Sequence, residues 1–358
     1  MRAAVAYEVG KPLVVEEVEL LPVGPRDVRV RIAASGICHT DLNVIEGRSP
    51  LPIPIVPGHE ACGTVEEVGP EVRRVAVGDR VLASVSPACG TCWWCLRSMT
   101  NHCELGGTVS TTPRWRVGDG REIPSVCGCG TFSDEMVVHE ASVVKVETDL
   151  ADEQLALLGC GVTTGVAAAL NTAGVEPGSS VAVIGCGGVG QSVIQGARIA
   201  GAATIVAIDP AADRRQASLG LGATHAVDPT EADPVEQVRA LTEGRGADYT
   251  FEVVGQPELM AQAFDMARPE ATVTLVGMPA LDARLTLPAV PAVFSGKRVV
   301  GAPVGGAQVL RDFPRFIRLA ETGQLDLGSL VSRRISLDEI NDGIEATARA
   351  EGVRTVIV

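Results

Sequence analysis

The 358 residues are 46% apolar and 21% charged, with 40 Gly, 22 Pro and only 11 aromatic residues, a composition that excludes disorder, collagen and coiled coil. The 44 acidic against 30 basic residues leave a formal charge of −14. That balance argues against an electrostatic grip on nucleic acid or a membrane surface and for a protein that acts on small molecules. At about 100–200 residues per domain, the length implies two domains, each with its own core.

The chain opens with Met1-Arg2-Ala3-Ala4-Val5-Ala6-Tyr7-Glu8 and meets a charge too early for a secretory apolar core, so a cytoplasmic setting is expected. Short Val-rich runs at Arg2–Tyr7, Val28–Ala33, Gly63–Val68 and Arg80–Ser84, parted by Gly, Pro and Asp, predict a β-rich first part. The stretches Leu155–Val175 and Pro177–Ala197 have the length of membrane spans and no charge. Gly, Thr, Ser and Asn dilute both and neither has a basic flank, so both are expected to be buried core. From Val181 the grammar changes to strand (Val181–Ile184), Gly-rich turn, helix (Gly190–Ala200) and strand (Thr204–Ile208), followed by helix Arg214–Leu219 and strand Ala226–Val227. This alternation predicts a parallel sheet with right-handed crossovers. After Gly277 mixed short elements return, ending in the strand Thr355–Val358, so the second domain is expected to be inserted into the first.

Ten cysteines without an export signal point to metal ligation or catalysis before disulfides. Cys89, Cys92, Cys95 and Cys103 follow the spacing Cys-x2-Cys-x2-Cys-x7-Cys, which can close a tetrahedron of thiolates around Zn²⁺. A closed all-sulfur shell has no open position, so its role should be structural. Free buried thiols or an iron–sulfur cluster are the alternatives. Cys38, His59 and Cys160 stand far apart in Gly36-Ile-Cys38-His39-Thr40-Asp41, Gly58-His59-Glu60 and Leu158-Gly159-Cys160-Gly161. Each alone is more often core than ligand. Taken together, and each among glycines that allow close approach, they match a catalytic zinc with a vacant fourth position. The pair Cys127 and Cys129 is one residue short of a Cys-x-x-Cys redox motif and is expected to be inert.

Val181-Ala-Val-Ile-Gly185-Cys-Gly187-Gly-Val189-Gly190 runs from an apolar strand into GxGxxG and then a helix, with Asp209 at the end of the next strand. In that context Gly185 makes the turn, Gly187 admits a pyrophosphate to the backbone, and Gly190 permits close helix packing. Asp209 would accept hydrogen bonds from ribose hydroxyls and repel a 2′-phosphate, favouring NAD over NADP, although Arg214 or Arg215 nearby weakens that preference.

Together these motifs resemble the zinc-containing medium-chain dehydrogenase/reductase family, specifically its alcohol dehydrogenases, over nearly the whole chain. The runs Gly36–Leu42, Leu157–Val162 and Val181–Gly190 are most similar to actinobacterial members, including mycothiol-dependent formaldehyde dehydrogenases. The resemblance implies an α/β fold in which a GroES-like catalytic domain over residues 1–161 holds both zinc sites. A Rossmann NAD-binding domain with a doubly wound parallel sheet follows at 162–303, and residues 304–358 return to the catalytic domain. It implies Cys38, His59 and Cys160 as ligands of one of two Zn²⁺ per chain, Glu60 as a carboxylate able to enter that shell, and Asp41 as the partner that orients His59. Thr40 takes the place of a hydroxyl that passes on the alcohol proton, His39 that of a group over the pyrophosphate, Thr164 that of a residue against the nicotinamide and Arg354 that of one on the pyrophosphate. Asn43 departs from the relatives, many of which end the proton path in His, and Asn cannot titrate near neutrality.

The activity implied is reversible hydride transfer between NAD and a primary or secondary alcohol, since a zinc ion lowers the pKa of a bound hydroxyl, as it lowers that of water from 15.7 to about 7. Val85, Val126, Met278 and Pro303 are implied as pocket lining, none of them aromatic, which suggests a medium or bulky apolar alcohol or its aldehyde. Arg114-Trp115-Arg116, within an insertion at Gly106–Val126, is read as surface cover before a grip on an anionic substrate. Relatives assemble as homodimers or homotetramers, and the inserted loop favours a homodimer. Two other readings are S-(hydroxymethyl)mycothiol dehydrogenase and a non-catalytic zinc-binding structural or regulatory protein.

Overall fold

The computed structural model describes residues 1–49 and 51–358. Contacts divide them into two compact units, one of Met1–Cys160, Gln308–Gly323 and Leu327–Val358, the other of Gly161–Ala307 and Gln324–Asp326.

The first unit is built on a seven-stranded sheet whose central strand is Asp27–Gly36. One edge of that strand pairs antiparallel with Glu60–Val68, in a register running from Val28 opposite Val68 to Gly36 opposite Glu60. Its other edge takes Glu135–His139 at one end and Arg354–Ile357 at the other. The Val-rich runs form strands here, with Val28, Val30, Val65 and Val81 buried in one core cluster together with Met136 and Val138 of Glu135–His139. A second cluster of Ile37, Leu42, Phe132, Ile340 and Ile357 lies around the helix His39–Ile45. The antiparallel register has a direct consequence for the site. Where Asp27–Gly36 ends, Glu60–Val68 begins, so Cys38 and His59 leave the sheet side by side.

The inserted stretch Gly106–Val126 is more ordered than a surface loop. It forms most of the helix Leu105–Thr111 and the hairpin Trp115–Arg116 with Glu122–Ile123, which extends a small sheet with Glu19–Leu20. Trp115 is fully buried. Arg114 pairs with buried Asp27, its Nη2 3.0 Å from Oδ1, and Arg116 with Glu19 and Glu122 at 2.9 and 2.8 Å. Both cations are matched within the unit, in keeping with cover and not with an anion grip.

The second unit holds a six-stranded parallel sheet. Taking its strands as Ser180–Ile184, Thr204–Ile208, His225–Val227, Ala247–Glu252, Ala267–Leu275 and Arg298–Gly301, the spatial order is third, second, first, fourth, fifth, sixth. This is the doubly wound Rossmann order, and its reversal falls at Ser180–Ile184. The continuous apolar run there is explained by burial on both faces. Val181 and Val183 pack with Phe251 and the helix residues Val193, Ile194 and Ala197, while Ala182 and Ile184 pack with Val206, Ile208 and Phe264. Among the described residues no single helix is long and apolar enough to cross a membrane.

Candidate active site and metal centres

Cys38 occupies an extended position just before the helix His39–Ile45, with φ −113° and ψ 152°. Asp41, in the first turn of that helix and fully buried, accepts the Cys38 amide on Oδ2 at 3.1 Å. Its Oδ1 accepts the Gly58 amide at 2.9 Å and faces His59 Nδ1 at 3.0 Å. One carboxylate therefore joins the two chain segments that carry Cys38 and His59. Cys160 arrives from the turn Leu157–Gly159, which lies directly on the sheet. A Cβ on Gly159 would stand 3.0 Å from Ala83 O and 3.1 Å from Glu60 Cα, so a larger residue would push the turn a few tenths of an ångström off the sheet and glycine permits the close approach.

The ligand atoms of Cys38, His59, Glu60 and Cys160 all lie within 4.8 Å of one another. With Nδ1 on Asp41, His59 Nε2 is buried and has no hydrogen-bond partner among the described residues. A buried acceptor left open beside two thiols is the pattern expected of a metal ligand whose other nitrogen is held by a carboxylate. The charges fit the same reading. Its hydrogen bond with Cys160 holds the Cys38 thiol well below the ordinary range and pushes Cys160 well above it, so the two thiols titrate as a coupled pair. Burial works against protonation of His59, but Asp41 and Cys160 outweigh it and raise its pKa. Such an environment favours a cation at the imidazole.

Glu60 is fully buried and its carboxylate meets the Arg354 guanidinium, itself almost wholly buried. Burial raises the Glu60 carboxyl above the usual range, with Arg354 opposing that rise. The structure thus places Arg354, expected on a pyrophosphate, against Glu60. No feature of the sequence announced this pair, whose members lie at opposite ends of the chain and meet through the strand Arg354–Ile357. Thr40 Oγ1 stands 3.6 Å from Cys38 Sγ. His39 is exposed at the first position of its helix. Asn43 Oδ1 accepts from Arg48 Nη1 at 3.2 Å. Cys129 is buried and Cys127 half-buried, and desolvation raises both thiols, Cys129 up to about 12, which disfavours the reactive thiolate.

The sulfurs of Cys89, Cys92, Cys95 and Cys103 likewise gather within 4.8 Å. The Thr91 and Cys92 amides donate to Cys89 Sγ at 3.4 and 3.3 Å, and the Cys95 amide to Cys92 Sγ at 3.5 Å. Backbone amides turned toward sulfur suit thiolates. The amides of Thr91 and Cys92 overcome the burial of Cys89 and bring it down to about 6. Among the described residues no carboxylate or imidazole joins this group, so four sulfurs would fill a tetrahedral shell.

In the second unit, Gly190 is required by contact, since a Cβ there would fall 1.8 Å from Gly185 O. Gly187 faces outward, where a Cβ would find nothing closer than Arg214 Nη1 at 3.8 Å. The backbone at that point stays open, as a bound pyrophosphate needs. Val189 O lies 2.4 Å from where a Cβ on Gly165 would stand, showing how closely the helix Gly188–Ile199 packs on Gly161–Ala167, the helix that carries Thr164. Asp209 accepts the Cys186 amide on Oδ2 and the Ala211 amide on Oδ1, both at 2.8 Å. Arg215 is spent on Asp209 O, Pro210 O and the Asp228 carboxylate, at 2.7, 2.8 and 2.8 Å. Arg214 keeps its head beside the glycine loop.

The alcohol dehydrogenase GroES-like domain family matches residues 24–148, and the zinc-binding dehydrogenase family matches residues 188–322. The chain is 37% identical to an NDMA-dependent alcohol dehydrogenase of Amycolatopsis methanolica, covering 100% of this chain and 98% of the relative. The chain belongs to the zinc-dependent alcohol dehydrogenases. It is also 39% identical to a geraniol dehydrogenase of Castellaniella defragrans, over 100% of this chain and 97% of the relative. Its fold is similar to the crystal structure of benzyl alcohol dehydrogenase from Acinetobacter calcoaceticus, with a TM-score of 0.93 and 29% identity over 99% and 98% of the two chains. Zinc and a nicotinamide coenzyme are the groups this family uses, and the donor sets above fit both.

Proposed function

We propose that this zinc alcohol dehydrogenase interconverts a medium or bulky apolar alcohol, primary or secondary, with its carbonyl compound, using NAD and a zinc held by Cys38, His59 and Cys160. The observation that carries the reading is the open, buried Nε2 of His59 between two thiols, with its Nδ1 fixed by Asp41. A zinc ion there supplies a Lewis acid that makes a hydroxyl acidic near neutral pH. The protein's own groups do the rest. Asp41 fixes the tautomer and direction of His59, Thr40 accepts the substrate proton on Oγ1 and passes it outward, and Arg354 opposes the rise that burial imposes on the Glu60 carboxyl and holds that group in place beside the ligands. Asp209 favours ribose hydroxyls over a 2′-phosphate, and the commitment of Arg215 to Asp228 supports NAD over NADP.

The substrate class is supported by the relatives named for geraniol and benzyl alcohol. A homodimer is supported by the strand Arg298–Gly301, whose outer edge carries no strand among the described residues, beside the helix Ala289–Phe294 with Val290, Val293 and Phe294 68%, 73% and 84% exposed. A cytoplasmic site of action is supported by ten free cysteines. The deciding experiment is an NADH absorbance screen of aliphatic, allylic and aromatic alcohols, with Cys38→Ser as control. Turnover of apolar alcohols that Cys38→Ser abolishes is expected. Reduction of NAD only with formaldehyde plus a thiol would replace the alcohol by a hydroxymethyl thiol adduct, and equal activity in Cys38→Ser would overturn the catalytic reading.

A further inference from the structure

Four cysteine thiolates around one Zn²⁺ carry a net charge of about −2, and the amide-to-sulfur bonds around Cys89 and Cys92 soften that charge without cancelling it. One cation comes to this group from outside the cysteine loop. Arg74, between the strands Glu60–Val68 and Arg80–Ala83, donates from Nη2 to Cys89 O at 3.2 Å. The same Nη2 lies 3.7 Å from where a Cβ on Gly90 would stand. Its Nη1 is buried and has no hydrogen-bond partner, and no carboxylate pairs with Arg74 among the described residues. A buried guanidinium edge with no acceptor is costly unless negative charge lies near it.

The placement is held rigidly. The Arg73 and Arg74 amides donate to Glu140 Oε2 at 2.8 and 3.1 Å, and Glu140 Oε1 accepts from Arg26 Nε and Nη2 at 2.9 and 2.8 Å. Glu140 is spent on these donors, so the Arg74 head is left for the cysteine group.

We infer that Arg74 is the compensating cation of the four-cysteine zinc, a positioning residue that slows loss of the metal. The inference rests on the reading that Cys89, Cys92, Cys95 and Cys103 hold zinc. The test follows transfer of zinc from the purified enzyme to a chromophoric chelator, with Cys103→Ser used to tell which zinc is which. Arg74→Gln keeps a donor for Cys89 O and removes the charge, whereas Arg74→Lys keeps the charge. Arg74→Gln is expected to release the four-cysteine zinc about tenfold faster, Arg74→Lys to stay within about threefold of the unsubstituted enzyme, and the gap to narrow in high salt. A Gln variant of low thermal stability is expected to recover its melting temperature when Zn²⁺ is added. Equal release from Arg74→Gln and the unsubstituted enzyme, a Lys variant as fast as Gln, or a melting deficit indifferent to Zn²⁺ would each overturn the role of Arg74 alone. A Cys103→Ser chain that still binds as much zinc as the unsubstituted one would instead remove the zinc reading of the cluster and the inference with it.

Discussion

Replacing Asp41 by Asn preserves shape and removes one acceptor, and the structure lets the cost be worked out. The carboxylate serves three partners: the Cys38 amide on one oxygen, the Gly58 amide and His59 Nδ1 on the other. An Asn side chain has a single oxygen. Turned toward Gly58 and His59, it sets its NH2 against the Cys38 N–H and orphans one buried donor, at about 1–3 kcal/mol. Turned the other way it orphans two donors, at about 2–6 kcal/mol, so the first orientation prevails. The catalytic unit should therefore lose about 1–3 kcal/mol of stability, the value for one orphaned donor. With His59 now facing a neutral oxygen, the adjacent zinc should bind roughly 10–100-fold more weakly. Chelator competition followed by metal counting would show one of two zincs per chain leaving early, and kcat/KM would fall with it at limiting zinc. Unchanged zinc retention together with an unchanged melting curve would refute the assignment of Asp41 as the group that holds His59.

Gly190→Ala places a methyl 1.8 Å from Gly185 O, so it should abolish coenzyme binding measured by NADH fluorescence while the isolated metal content stays at two; normal affinity would show that the loop can shift. Asn43→His adds a group that titrates near 6.5 beside Arg48, and kcat should gain a rise with pH between about 6 and 7.5 that the unsubstituted enzyme lacks; an unchanged profile would send the protons by another route. Burial raises the Glu140 carboxyl, but the Arg73 amide, Arg26 and the Arg74 amide together hold it below the usual range. Its contribution is thus present above about pH 4.3 and lost as pH falls through the depressed folded value. Glu140→Gln should lower the urea midpoint at pH 7 by the equivalent of about 1.5–3 kcal/mol and flatten the loss of stability below pH 4.5; parallel acid curves for the two proteins would contradict this.

What sequence alone determined here is what local spacing can encode. The cysteine run 89–103, the strand, glycine turn and helix of 181–199, and the Val-rich runs of the β-rich part are statements about neighbours along the chain, and the strands and helices formed close to where those runs placed them. Cys38, His59 and Cys160 were legible as candidates because each sits in its own short glycine-bearing motif. Their convergence depends on something no motif contains, the register that sets Gly36 opposite Glu60 and the glycine at 159 that lets its turn lie on the sheet. The pairing of Arg354 with Glu60, the burial of Trp115 and the approach of Arg74 to Cys89 were not legible at all. Each depends on which groups the packed interior shuts away from water: burial favours an apolar ring such as Trp115, and it makes a charge such as Glu60 costly unless a partner like Arg354 meets it, a condition that exists only once the chain has closed around them.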